Sequence, residues 1–198
     1  RQQFQDALKS KSKVAEVKRL SGANRYDTNL EILKEAGVNG KDVLVSSGDD
    51  YADSLSASAT ELPILLVGSS LTDKQKEFLG KQSSSQYFIV GGTGAVNGGF
   101  ENAIKQSAGG DNVVVTRFAG ANRFETSSMV AYNFFNPSSV DTVTLAYGND
   151  FPDGLAGGPL AATKGAPLLL AGNRNYSYAG RFIKQARLNT IYVFGGPT

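Results

Sequence analysis

The chain has 198 residues, 40% of them hydrophobic, and its 20 Lys and Arg nearly balance 18 Asp and Glu. That is enough apolar material for a packed core and too balanced a charge for a disordered chain or a dedicated nucleic-acid binder. Cys, His and Trp are absent, which excludes thiol nucleophiles, Ser-His-Asp triads, imidazole acid–base chemistry and Cys/His zinc sites within this sequence.

Along the chain, Phe4-Gln-Asp-Ala-Leu-Lys9 resembles Phe100-Glu-Asn-Ala-Ile-Lys105, and each leads through a Val-containing stretch into Arg-x-x-Gly-Ala-Asn-Arg. Residues 1–18 are therefore expected to be the last helix and linker of a preceding repeat, the chain being a fragment of a longer array. The spare helix could fill a vacancy at the other end, within or between chains.

Arg19 to Asn29 follows, and it returns as Arg117 to Ser127 with Arg, Gly, Ala, Asn, Arg and Thr unchanged. In each copy an Asn suits a helix N-cap (Asn24, Asn122) and an acid sits three residues on (Asp27, Glu125), a capping-box pattern. A helix is expected from Tyr26 to Ala36. Arg25 and Arg123 oppose the helix macrodipole, so each needs a partner: a carboxylate within the fold or an external anion.

Next come a strand at Val43–Val45 and a turn, Gly48-Asp-Asp-Tyr-Ala-Asp-Ser-Leu55, repeated as Gly148-Asn-Asp-Phe-Pro-Asp-Gly-Leu155. The pairs Asp50/Asp53 and Asp150/Asp153 invite a glycosidase or metal reading, but a turn carboxylate three residues before another also reads as a helix start, and Pro152 agrees. Asp53 or Asp153 is the expected internal partner of Arg25 or Arg123.

Pro63-Ile64-Leu65-Leu66, matched by Pro167-Leu168-Leu169-Leu170, reads as a buried strand opened by proline. An amphipathic helix over Asp73–Leu79 and strands at Tyr87–Val90 and Val113–Val115 complete the first copy. Gly92-Thr-Gly94 imitates a dinucleotide fingerprint, but Asn97 replaces the third glycine and no ribose-binding acid follows at the right distance. No cofactor is expected. In the second copy the strands recur at Val143–Ala146, Leu168–Ala171 and Ile191–Phe194.

Apolar strands alternating with helices indicate an α/β fold: tandem three-layer repeats with mostly parallel sheets, Rossmann- or flavodoxin-like, packed side by side. The expected units are 1–18, 19–116 and 117–198, the last lacking its final helix. No apolar run is long enough to span a membrane, and the absence of Cys fits a secreted protein.

Four motifs in order, Arg-x-x-Gly-x-x-Arg-Tyr/Phe-Asp/Glu-Thr, Gly-x-Asp-x-x-Asp-x-Leu, Pro-Ile/Leu-Leu-Leu and a strand ending in Gly-Gly, resemble the cell wall binding repeat 2 family of clostridial and other Gram-positive surface proteins. The resemblance covers essentially the whole chain, twice. It implies a non-enzymatic, extracellular module of the cell wall or surface layer. Such a module anchors its parent non-covalently to an anionic cell-wall polysaccharide, through repeats packed as a pseudo-threefold trimer. It points to Pro63–Leu66 and Pro167–Leu170 as ligand-binding. Arg25 and Arg123 could meet phosphates on such a polymer. The alternatives are a carbohydrate-active enzyme using the paired aspartates and a purely structural oligomerisation module.

Overall fold

A computed structural model describes residues 3, 6, 7, 16–84, 86–150 and 152–196. The calls on residues 1, 2, 4, 5 and 8–15 lie outside these. The element order is α1 (Arg25–Glu35), β1 (Val43–Ser47), α2 (Ala52–Ser58), β2 (Ile64–Val67), α3 (Asp73–Gly80), β3 (Gln86–Val90), α4 (Phe100–Ala108), β4 (Val114–Phe118), α5 (Arg123–Phe134), β5 (Thr142–Tyr147), α6 (Pro152–Thr163), β6 (Leu168–Ala171), α7 (Ser177–Gln185) and β7 (Thr190–Phe194).

The strands form two parallel sheets, ordered β2-β1-β3-β4 and β6-β5-β7. The α/β tandem architecture read from the sequence is the one observed. Central β1 is buried at every position, as a run covered on both faces must be. On one face of the first sheet Val43, Val45, Tyr87 and Ile89 meet Leu30 and Leu33 of α1, Phe78 and Leu79 of α3, and Phe100 and Ile104 of α4.

The other face is closed partly by the second copy. Leu44, Val90 and Phe118 pack with Ala57 of α2 and Val130 of α5. Phe134 of α5 sits edge-on to Phe88 and Phe118 at centroid distances of 5.2 and 5.6 Å. Reciprocally, Ala52 and Leu55 of α2 and Ala59, which caps its C-terminus, join Phe124, Ala146, Ala161, Leu168 and Leu170 in the second core. Gly154 and Gly158, one helical turn apart on α6, make this approach possible: a Cβ there would fall 2.8 Å from Leu55 Cδ1 and 1.9 Å from Ser58 Oγ. The two copies are interlocked, with α2 a shared layer. Strand β4 also runs across residues 116 and 117 and completes the first sheet before the chain enters α5.

Candidate functional site

The repeated signature is first a folding device. Asn24 Oδ1 accepts the Asp27 amide at 2.9 Å, and Asn122 Oδ1 accepts those of Phe124 and Glu125 at 3.1 and 3.0 Å, so both are N-caps as expected. The threonines Thr28 and Thr126 accept the amides of Gly22 and Gly120, each at 3.0 Å. Those glycines have no room for more: a Cβ would lie 2.2 Å from Asp27 Cβ and 2.4 Å from Glu125 Cβ. Tyr26 and Phe124 lie across the strand-end glycines Gly48 and Gly148, where a Cβ would approach either ring to 2.6 Å. The capping box itself is only half formed. The Asp27 carboxylate turns to Lys74 Nζ at 2.7 Å, while Glu125 reaches back to the Ala121 amide at 2.7 Å.

The two arginines share one contact and differ in the rest. Arg25 Nη1 donates to the Gly48 carbonyl at 2.5 Å and Arg123 Nη1 to that of Gly148 at 3.1 Å. Arg123 also crosses the junction between copies: Nη1 donates to Tyr51 Oη at 3.2 Å, Nη2 pairs with Asp50 at 3.3 Å, and the guanidinium lies 5.4 Å from the Tyr51 ring centroid. Tyr51 in turn donates to the Asn149 carbonyl at 3.1 Å. Arg25 has Asp49 at 3.9 Å, and its side chain is 61% exposed against 31% for Arg123. The expected partner is therefore corrected. Asp50 and Asp49, not Asp53 or Asp153, take the arginines, because the early turn of α2 or α6 aims the later aspartate inward at the glycine ending the third strand. The nearest atom to a Cβ placed on Gly91 would be Asp53 Oδ2, and on Gly195 it would be Asp153 Oδ2. Half-buried Asp53 is held above the ordinary carboxylate range, chiefly by desolvation and then by Asp50, with Arg123 opposing.

The proline-opened strands β2 and β6 lie at sheet edges, where proline costs no ladder bond. Side chains close those edges. Asn29 of α1 donates to the Ile64 carbonyl and accepts from the Leu66 amide, both at 2.9 Å; Ser127 of α5 accepts from Leu170 at 3.0 Å. Pro167, Leu168, Leu169 and Leu170 are all buried, under α2 and within the second unit. In the first copy only Leu65 is fully buried, and Pro63, Ile64 and Leu66 remain partly exposed. Arg25 and Asn29 are one helical turn apart, so Arg25 stands on the helix face that meets this edge. Sequence reasoning missed Asn29 and Tyr51. The signal for Asn29 was a polar residue one turn beyond Arg25, inside an otherwise apolar stripe.

Among the described residues no group of three or more metal-ligating side chains is gathered, and no helix is long and apolar enough to cross a membrane. A cavity of about 350 Å³ opens at the C-terminal ends of the second sheet between Tyr147, Asp153, Asn173, Tyr176 and Gly195.

Against known proteins, the family described as cell wall binding domain 2 matches residues 19–101 and 117–198. The chain is 30% identical over 187 residues to the N-acetylmuramoyl-L-alanine amidase LytC of Bacillus subtilis, covering 92% of this chain and 36% of that protein. It is 28% identical over 162 residues to the amidase enhancer of the same organism, covering 79% of this chain and 22% of that one. Among solved structures, Cwp8 from Clostridium difficile matches at 27% identity and a TM-score of 0.78, over 96% of this chain and 33% of that one. Cwp6 from the same organism shares the fold at 23% identity and a TM-score of 0.80, over 91% and 30%. The chain thus spans about a third or less of each relative.

Proposed function

This chain belongs to the cell wall binding domain 2 family, and on that footing we propose that it is a non-enzymatic module holding a surface protein on an anionic cell-wall polysaccharide outside the cell. The observation that carries the reading is the family match over both copies. The geometry supports it from a second side, because the motif residues that could suggest catalysis have structural employment. Asp50 pairs with Arg123 at 3.3 Å, and Asp53 is packed against Gly91.

We place polymer contact on the first copy, at Arg25 and the partly exposed Pro63, Ile64 and Leu66. Arg25 supplies a charge-assisted donor for a phosphate or carboxylate, and the strand supplies an apolar strip beside it. Leu65, Pro167, Leu168, Leu169 and Leu170 serve as buried scaffold, and half-buried Arg123 ties the junction between the copies. In this proposal the sequence units remain 1–18, 19–116 and 117–198, and neighbouring repeats of a longer array add avidity.

The test is co-sedimentation of the folded chain with purified cell-wall polysaccharide, at low and at raised salt. Binding weakened by salt is expected, since exposed charges are screened within a Debye length. No binding at low salt by folded protein, or release of shortened polymer, would overturn the proposal.

A further inference from the structure

Helices α1 and α3 of the first copy, and α5 and α7 of the second, flank the same groove, and the chain furnishes the two grooves differently. In the first copy the groove opens as two adjoining cavities of about 340 and 380 Å³, both lined by Lys34, Lys74 and Glu77. It stays open with α4 in place, because α4 lies on the other flank of α3, where a Cβ on Gly80 would meet the Ser107 carbonyl at 3.2 Å. Its charges are paired off: Lys34 with Glu31 at 2.9 Å, Lys74 with Asp27 at 2.7 Å, and Glu77 with Lys81.

The N-caps equate Asn24 with Asn122, and strand register equates Ile64 with Leu168 and Tyr87 with Ile191. Lys34, Lys74 and Glu77 then become Tyr132, Tyr178 and Arg181, while Glu31 becomes Met129 and Lys81 becomes Gln185. Every ion pair of the first groove is lost, and aromatic rings and a guanidinium stand in their place. The acid that remains, Glu125 at the position of Asp27, is turned to the Ala121 amide. Ser128 Oγ, one turn before Tyr132, donates to the Tyr178 carbonyl at 3.3 Å and joins the two helices at this level. Tyr132 leans on the buried Phe182 ring at a centroid distance of 5.0 Å, and 39% of it stays exposed. Arg181 lies with Cζ 4.9 Å from the Tyr178 ring centroid. It is exposed and, among the described residues, in no ion pair. Residues 154–198 contain five Lys and Arg and no Asp or Glu.

We propose that the α5–α7 groove is a second contact for the wall polymer, in which Tyr132 stacks on a sugar ring and Arg181 holds an anionic group carried by that ring or its neighbour. The inference rests on the wall-polymer reading above and adds a site on the other copy. The C–H face of a pyranose is apolar and weakly positive, which suits the negative face of an aromatic ring. The guanidinium, braced on Tyr178, offers a planar fork to a phosphate or carboxylate with little further ordering to do. The first groove, closed by its own ion pairs, offers neither.

The experiment is titration of the full chain, labelled in its tyrosine rings, with shortened anionic cell-wall polysaccharide, followed by NMR. The Tyr132 signal is identified by its loss in Tyr132→Phe. In wild type the Tyr132 ring signal should move on binding, and Tyr132→Phe should keep the affinity. Tyr132→Ala should bind about three- to tenfold more weakly, and Arg181→Glu at least about tenfold more weakly, with melting curves showing both folded. Inorganic polyphosphate, which carries charge without a ring, should bind at least about tenfold more weakly than the polysaccharide. A Tyr132 signal that stays still at saturation, wild-type affinity in folded Arg181→Glu, or polyphosphate bound as tightly as the polysaccharide would overturn the proposal. Binding that Arg25→Ala weakens and Arg181→Glu does not would sink this inference and leave the proposed function standing; no polymer binding by wild type would sink both.

Discussion

The junction between the copies offers a matched pair of substitutions, Leu55→Ala and Leu155→Ala. The two leucines occupy the same motif position. Leu55 is in the second core with Phe124, Leu168 and Leu170, its Cδ1 lying over Gly154, and Leu155 is exposed. Truncating a buried leucine costs its transfer free energy plus the cavity left behind, about 2–5 kcal/mol. Helix α2 is short and flanked by small residues that close part of the gap, so about 3 kcal/mol is expected for Leu55→Ala. For a chain of this size that lowers the Tm by roughly 6–12 °C. Leu155→Ala should stay within about 0.5 kcal/mol, as exposed substitutions do. Urea titration followed by circular dichroism reads both, and an unchanged m value would show that the substitution altered stability and not the surface exposed on unfolding. Equal losses at the two positions, or a Leu55→Ala loss under about 0.5 kcal/mol, would refute the interlocked fold.

Gly120→Ala puts a Cβ within 2.4 Å of Glu125 Cβ and 2.7 Å of the Thr126 amide; the cap must open, and a loss of about 1–3 kcal/mol is expected in the same titration. Asp53 has a clear pH signature. Its pKa is raised in the fold, so its neutral form is favoured by folding. That stability is fully present below the unfolded carboxylate pKa and is lost as pH rises through the folded one. Melting temperatures across the mildly acidic range should show this decline in wild type and lack that component in Asp53→Asn; identical profiles would contradict the burial argument.

Much of this fold was legible because the signals were local. Proline-opened apolar runs gave the strands, and Asn24 and Asn122 gave helix starts. The chain compared with itself gave the repeat. What escaped depended on direction or distance. The choice of Asp50 over Asp53 as partner of Arg123 turns on where α2 begins, which spacing alone does not fix. The sharing of α2 and α5 between copies could not be read, since periodicity says that a face is apolar and not which sheet it meets. The Val113–Val115 strand lies instead at Val114–Phe118, extended because Arg117 is drawn in by Glu101 and two carbonyls. One signal was present and unread: Thr72-x-x-Gln75 forms a fully reciprocal capping box.

The site was less legible than the fold. Duplication marked Arg25 and Arg123 as equals, but only the structure separates them into an exposed cation and a junction residue.

That separation is the most direct test of the account. Titration calorimetry of purified anionic wall polysaccharide into wild type, Arg25→Ala and Arg123→Ala, each also melted, compares affinity with stability. Arg25→Ala should weaken binding about tenfold, the loss of one charge-assisted contact, with its Tm nearly unchanged; Arg123→Ala should lower the Tm and spare most of the affinity of the folded fraction. Full affinity in Arg25→Ala, with binding lost instead in a stably folded Arg123→Ala, would contradict it.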